Sequence, residues 1–187
     1  MPWNDWDAKR RLDSARALLA EAGYGPGNPL EVEVLYRTDE NVRRRLIALA
    51  AMWKPLGVRV RLRNEEWKVY LGSRRQRDFD ITVGGWVGEY DDPYAILQIL
   101  HSRAGPHINY AGYANTAFDA LVERANAEGD PARRMQLLQE AEAVAVTDQP
   151  LLPISFLASR NLVKPQVRGF AGNALNVHPS RWITVAQ

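Results

Sequence analysis

Residues 30–63 read L-E-V-E-V-L-Y-R-T-D-E-N-V-R-R-R-L-I-A-L-A-A-M-W-K-P-L-G-V-R-V-R-L-R, and their periodicity decides the fold. Leu30, Val32, Val34 and Tyr36 alternate with polar positions, the period of a strand. Thr38-Asp39 offers an N-cap, and Val42, Leu46, Leu49 and Trp53 then recur at helical spacing until Pro55 and Gly57 stop them. Val58 to Arg63 alternates strictly again, which predicts a second strand with Arg59, Arg61 and Arg63 on a solvated face. A strand, a helix and a strand joined by short connections make a parallel unit with a right-handed crossover.

The pattern continues on both sides. Asp7 to Ala22 predicts a helix with Leu12, Ala15, Leu19 and Ala22 on one face, Asp7 as its cap and Gly23 as its stop. The glycines of the turn at 24–29 follow a helix and precede a strand, the reverse of a dinucleotide fingerprint, so they are not read as a phosphate loop. Downstream, Trp67, Tyr70 and Leu71 mark a third helix that ends in Arg74-Arg75-Gln76-Arg77, read as a solvated basic face. Phe79, Ile81 and Val83 mark a third strand. The expected fold class is α/β, built from βαβ units with a mostly parallel sheet.

Ligands of open α/β sheets lie outside the carboxyl ends of the strands. That end of the third strand runs into D-I-T-V-G-G-W-V-G-E-Y-D-D-P-Y (80–94), a glycine-loosened loop with a tryptophan and three carboxylates. Asp92 ahead of Pro93 is the cap-then-proline arrangement that opens a helix, so its carboxylate is assigned to the backbone. Glu89 and Asp91 remain as ligand-facing carboxylates, suited to a ligand ammonium, with Trp86 and Tyr90 as apolar walls. Acid–base catalysis of the glycosidase kind needs carboxyls about 5 to 9.5 Å apart on two sides of a bond, which neighbours on one loop do not supply. No catalytic residues are assigned.

Beyond the loop, Ile96, Leu97, Ile99 and Leu100 give a helix its apolar content. Thr116 with Asp119 resembles a capping box ahead of a helix carrying Phe118, Leu121, Val122 and Ala125. Asp130-Pro131 opens another, with Met135, Leu138, Ala141 and Ala145 on one face. Leu151 to Leu157 reads as a strand weakened by Pro150 and Pro153, residues 163–178 are irregular, and Trp182 to Val185 reads as a last strand.

Composition narrows the chemistry. The absence of cysteine removes disulfides, thiolate metal sites and thiol nucleophiles. His101, His107 and His178 are scattered without metal-ligand spacing, so neither a metal nor another cofactor is expected. A net charge of +2, with dispersed arginines, gives no stripe for nucleic acid. No apolar run is long enough to span a membrane, and the first residues, Met-Pro-Trp-Asn-Asp-Trp-Asp, have no signal-peptide apolar region.

Several stretches, in order, resemble the peptide and nickel type (family 5) solute-binding proteins of ABC transporters. A-R-A-L-L-A-E-A-G-Y (15–24) is similar to the family's helix-and-turn motif, and M-W-K-P-L-G-V-R-V (52–60) to its helix-to-strand step. F-D-I-T-V-G-G-W-V-G-E-Y-D-D-P (79–93) is similar to its tryptophan loop. N-Y-A-G-Y-A-N-T-A-F-D-A-L-V (109–122), R-R-M-Q-L-L-Q-E-A-E-A-V-A-V-T-D-Q-P-L-L-P-I (133–154) and V-K-P-Q-V-R-G-F (163–170) follow.

The resemblance implies a periplasmic binding protein-like type II lobe of a two-lobed, hinge-closing protein. That protein would take a short peptide or related small solute to a membrane ABC permease from the periplasm, or from the cell surface as a lipoprotein. It further implies that this chain is the last third of such a protein. Residues 1–150 would form most of one lobe, and 151–187 would return to complete the other. In peptide-binding members, the fourth residue of W-x-x-[D/E]-Y is an aspartate that pairs with the peptide ammonium. That position is Glu89 here, one methylene longer, and Trp86 corresponds to a pocket wall. Two other readings stand beside this one: the sensing domain of a cytoplasmic transcriptional regulator, and a carboxylate-dependent hydrolase. A lobe cut from its partner would expose its interface and self-associate.

Overall fold

The structure, a computed structural model, describes residues 3–156 and 158–186. The chain divides into two compact units, Met1–Gly85 with Ala104–Gly112, and Trp86–Arg103 with Tyr113–Gln187.

The first unit is α/β. Its elements are α1 (Ala8–Glu21), β1 (Glu31–Arg37), α2 (Glu40–Trp53), β2 (Arg59–Glu65), α3 (Trp67–Gln76) and β3 (Ile81–Thr82). The strands form one parallel sheet in the order β2-β1-β3. Each helix starts where a carboxylate accepts otherwise unpaired N–H groups. Asp7 accepts from Arg10 at 2.7 Å, Asp39 from Asn41 and Val42, and Glu66 from Lys68. Val34, Tyr36, Val42 and Leu46 form the core, flanked by Leu49, Val60, Leu62, Ile81 and Val83. Burying side chains of this kind contributes roughly 1.5–3 kcal/mol each.

The alternation expected in β1 holds on one face only. Glu33 and Leu35 are buried along with Val34 and Tyr36. The central strand of a parallel sheet is covered on both faces, so a polar residue there needs partners. Glu33 has them. Its N–H donates to Asp80 at 2.8 Å, and its carboxylate pairs with Arg61 and, at 3.0 Å, with Arg63. The arginine face of β2 is solvated at Arg59 and Arg61, as its alternation indicates, and it is also a cross-strand charge ladder in which Arg63 is largely covered. The register sets Arg59 opposite Glu31 and Arg61 opposite Glu33, and Arg63 reaches Asp78 as well.

The basic cluster at the end of α3 is likewise engaged. The Arg74 guanidinium lies over the Tyr110 ring, 3.6 Å from its centroid, and against Gly84. Arg77, in the left-handed conformation, lies against Gly112. Together they fasten the 104–112 segment.

The second unit is mainly helical. It contains α4 (Tyr94–Leu97, continued by a 3-10 turn at Gln98–Leu100), α5 (Thr116–Ala127), α6 (Pro131–Asp148) and a two-stranded antiparallel pair, β4 (Val167–Arg168) with β5 (Thr184–Val185). Leu97, Leu100, Phe118, Val122, Ala125, Leu137, Leu138, Ala141 and Ala145 make its core. Met135, assigned to the buried face from its spacing, is exposed, and Leu137 is buried.

The cap of α5 is Asn115, which accepts from Ala117 and Phe118, one residue before the expected Thr116. Asp119 turns to Ser102 instead, accepting from its N–H at 3.1 Å and its hydroxyl at 2.5 Å. Tyr113 and Asn115 both donate to Asp148 at 2.7 Å, tying the start of α5 to the end of α6. Residues 151–156 form no strand, and Leu157, the end of that expected strand, lies outside the described residues. Of the last expected strand, Trp182 to Val185, only Thr184–Val185 is a strand, paired with β4, while Trp182 ends a 3-10 turn. From residue 151 onward no described residue is buried.

Candidate functional site

The loop after β3 is shaped by the helix that follows it. Pro93 fixes its own backbone angle, and Asp92 Oδ1 accepts the Tyr94 N–H at 2.8 Å, so Asp92 has the capping role its sequence context gave it. The Asp92 carboxylate also receives a two-pronged ion pair from Arg134 on α6, with Nη1 at 2.5 Å and Nη2 at 3.0 Å. This hydrogen-bonded pairing holds the Asp92 carboxyl below the usual carboxylate range, against the opposing effect of burial, and raises Arg134 in return.

Two further contacts fold the loop onto α4. The Trp86 indole N–H donates to the Ala95 carbonyl at 3.0 Å. Gly88 lies close against the Ala95 methyl and the Tyr90 carbonyl, each 3.3 Å from where a Cβ would stand, so a side chain there would require its neighbours to give by a few tenths of an ångström. Ala95 itself is fully buried, so these contacts rest on a fixed element.

The four side chains assigned to a ligand all remain outside this fastening, apart from the indole N–H. Trp86 is 39% exposed and Tyr90 42% exposed. Glu89 and Asp91 are exposed, and among the described residues neither carboxylate has a hydrogen-bond or ion-pair partner. Desolvation, with Tyr94, Asp92 and Glu89 nearby, pushes the Tyr90 phenol above its ordinary value, so it stays protonated and can donate. The arrangement offers two aromatic surfaces and two uncommitted carboxylates on one short loop. Its chemistry suits a cation with adjoining apolar surface.

Two arginines, one in each unit, carried no local signal of their partners in the sequence. Arg134 pairs with a residue 42 positions away and has an arginine for a neighbour. Arg74, in the first unit, was read as part of a solvated cluster. It is half-buried between Tyr70 and Tyr110, and its Nε has no hydrogen-bond partner among the described residues. Trp67 stacks on Tyr70 with centroids 5.8 Å apart and is half exposed at the start of α3. Both lie on the element that follows the carboxyl end of β2.

Residues 1–108 match the family described as "Bacterial extracellular solute-binding proteins, family 5 Middle". The chain is 35% identical over 171 residues to the periplasmic oligopeptide-binding protein OppA of Escherichia coli, covering 91% of this chain and 31% of that protein. It is 38% identical over 173 residues to the periplasmic murein peptide-binding protein MppA of the same organism, covering 92% of this chain and 32% of the relative. The crystal structure of Haemophilus influenzae OppA in complex with RPPGFSPFR superposes with a TM-score of 0.85 at 32% identity, over 99% of this chain and 36% of that one.

Proposed function

Because the chain belongs to family 5 of the bacterial extracellular solute-binding proteins, we propose that it forms part of the ligand-binding body of a peptide-binding component of an ABC transporter. The observation that carries this reading is the Trp86–Asp91 loop. It is fastened to α4 through Asp92, Trp86 and Gly88, yet leaves Glu89 without a partner beside two exposed rings. With the loop backbone already fastened, a ligand has only the Glu89 side chain left to order. Glu89 receives the ammonium of a short peptide, Trp86 and Tyr90 cover its first side chain, and Asp91 adds negative potential.

The names of the relatives support a periplasmic setting and a peptide ligand, and delivery to a membrane permease follows from that class. The chain spans 31% and 32% of those two relatives' lengths. In the proposed arrangement, residues 1–150 belong to the ligand-binding lobe, and 151–187 cross to another part of a longer protein. The exposed Leu152, Ile154, Phe156 and Leu162 support the second half of that division, because apolar side chains at this density need a covering surface.

Calorimetric titration of the full-length protein with tri-alanine, maltose and a nickel chelate tests the ligand class. Binding of tri-alanine alone supports the proposal. Tight binding of maltose or the chelate with none of the peptide overturns it.

A further inference from the structure

We infer that Arg134 is a positioning residue for the ligand loop: from α6 it grips Asp92 and so sets the conformation in which Trp86 and Glu89 are presented. The inference rests on the proposed function for its ligand half only. Its structural half stands on contacts within the second unit.

The loop has few independent attachments. Trp86 is fixed to the Ala95 carbonyl, Gly88 rests on the Ala95 methyl, and Asp92 caps the first turn through the Tyr94 N–H. All three refer the loop to α4, which is four residues long. A helix that short holds no position by itself. Among the described residues, two kinds of contact tie α4 to the rest of the unit. One is its buried residues, Ala95 and Leu97, with Leu100 just beyond. The other is the Asp92–Arg134 pair, the polar link at its N-terminal end.

The apolar link runs through Ala95 and Leu97, and through Tyr94 at the loop end of α4, which packs on the same core. The ionic link acts at the hinge where loop becomes helix. Arg134 lies in the second turn of α6, an 18-residue helix whose Leu137, Leu138, Ala141 and Ala145 are buried. It therefore transmits the position of a rigid element to a short one. The fork geometry matters. Two parallel N–H donors fix the plane of the carboxylate as well as its distance, and a lysine would fix only the distance. The carboxylate plane in turn directs Oδ1 at the Tyr94 N–H, which starts the helix.

Three variants of the full-length protein test this by hydrogen exchange of the segment 86–95 and by calorimetric titration with tri-alanine. Asp92→Asn keeps a capping oxygen but removes the charge that Arg134 grips. Arg134→Met keeps apolar stem length without the guanidinium, and Arg134→Lys restores charge without the fork. Asp92→Asn and Arg134→Met are expected to speed exchange of 86–95 about 10-fold or more, with residues 118–145 unchanged, and to weaken tri-alanine about 10-fold. Arg134→Lys recovers part of both.

Unchanged exchange in 86–95 overturns the inference. So does a rise spread equally through α5 and α6, which would mark Arg134 as a general stabiliser, and so does wild-type tri-alanine affinity in a variant whose loop exchanges faster. If Arg134→Met does not fold, Asp92→Asn decides. If tri-alanine fails to bind the wild type, the proposed function falls, and the exchange measurements alone still judge the role of Arg134.

Discussion

Replacing Glu89 by Gln separates a ligand contact from a structural one. The carboxylate is exposed and has no partner among the described residues, so the substitution should leave stability within about 0.5 kcal/mol of the wild type. Its effect on binding depends on whether the ligand desolvates the pair. Two unit charges about 4 Å apart interact by ~1 kcal/mol in water and ~4 kcal/mol at the effective dielectric of a protein surface. A hydrogen bond to a charged group contributes ~1.5–3 kcal/mol net. An ammonium lodged between Glu89 and the Trp86 and Tyr90 rings belongs in that second range, so Glu89→Gln should weaken a peptide by roughly 10- to 150-fold. The assay is a cycle in the full-length protein: tri-alanine and N-acetyl-tri-alanine, each titrated into wild type and Glu89→Gln. Acetylation removes the cation. It should cost the wild type that full factor and cost the variant less than about threefold, because the partner charge is already gone. Equal losses in both proteins would refute a Glu89–ammonium contact, whatever the absolute affinities.

Three other outcomes are expected. Phe118 is fully buried and meets Tyr113 edge-on at 5.4 Å, so Phe118→Ala should lower unfolding free energy by about 3–5 kcal/mol in urea titration, and a loss below about 1 kcal/mol would contradict the assigned core. Hydrogen bonds from Tyr113 and then Asn115 hold Asp148 below the ordinary carboxylate range, so their stabilisation is complete above the unfolded value near 4 and fades as pH falls through the depressed one. Tyr113→Phe should therefore differ most from wild type in urea midpoint at neutral pH and converge with it as pH falls through the depressed Asp148 range; a gap independent of pH would rule out the Asp148 contact. Finally, the 187-residue chain by itself should self-associate in sedimentation velocity, and Phe156→Ser with Leu162→Ser, both fully exposed, should shift it toward monomer; a monomeric parent chain at high concentration would count against the exposed face as an interface.

The parts of this fold written in local periodicity were legible. Asp7, Asp39, Asp92 and Asp130 each cap the helix their context indicated. The 30–63 stretch forms the strand, helix and strand that its pattern shows. What was not legible depends on partners far along the chain. Glu33 alternates like an outward residue, and only its position in the central strand buries it against Arg61 and Arg63. Arg74 and Arg77 look like a solvated cluster until residues 104–112 fold back under them. The α5 cap slipped by one because Asn115 and Thr116 are both good capping residues, and Asp119, which would have closed a capping box, is taken by Ser102. For the candidate site, Trp86, Glu89, Tyr90 and Asp91 were read from the loop itself. Arg134 was not, since a pairing across 42 residues leaves no mark in spacing.

The three carboxylates of the loop show why that hidden partner matters for specificity. Left to itself, a run of Glu89, Asp91 and Asp92 would spread its negative charge along the loop. Arg134 removes one of the three from the electrostatic surface and spends it on the helix start. Glu89 and Asp91 then carry the loop's remaining negative charge. In the proposed role, a cation would meet these carboxylates on the loop that also carries the exposed Trp86 and Tyr90 rings. A hydrated metal ion would gain mainly from the charge there, whereas a peptide terminus with its first side chain would gain from the charge and the rings together. On this reasoning, discrimination among cationic solutes depends as much on which carboxylate is neutralised as on which is left free.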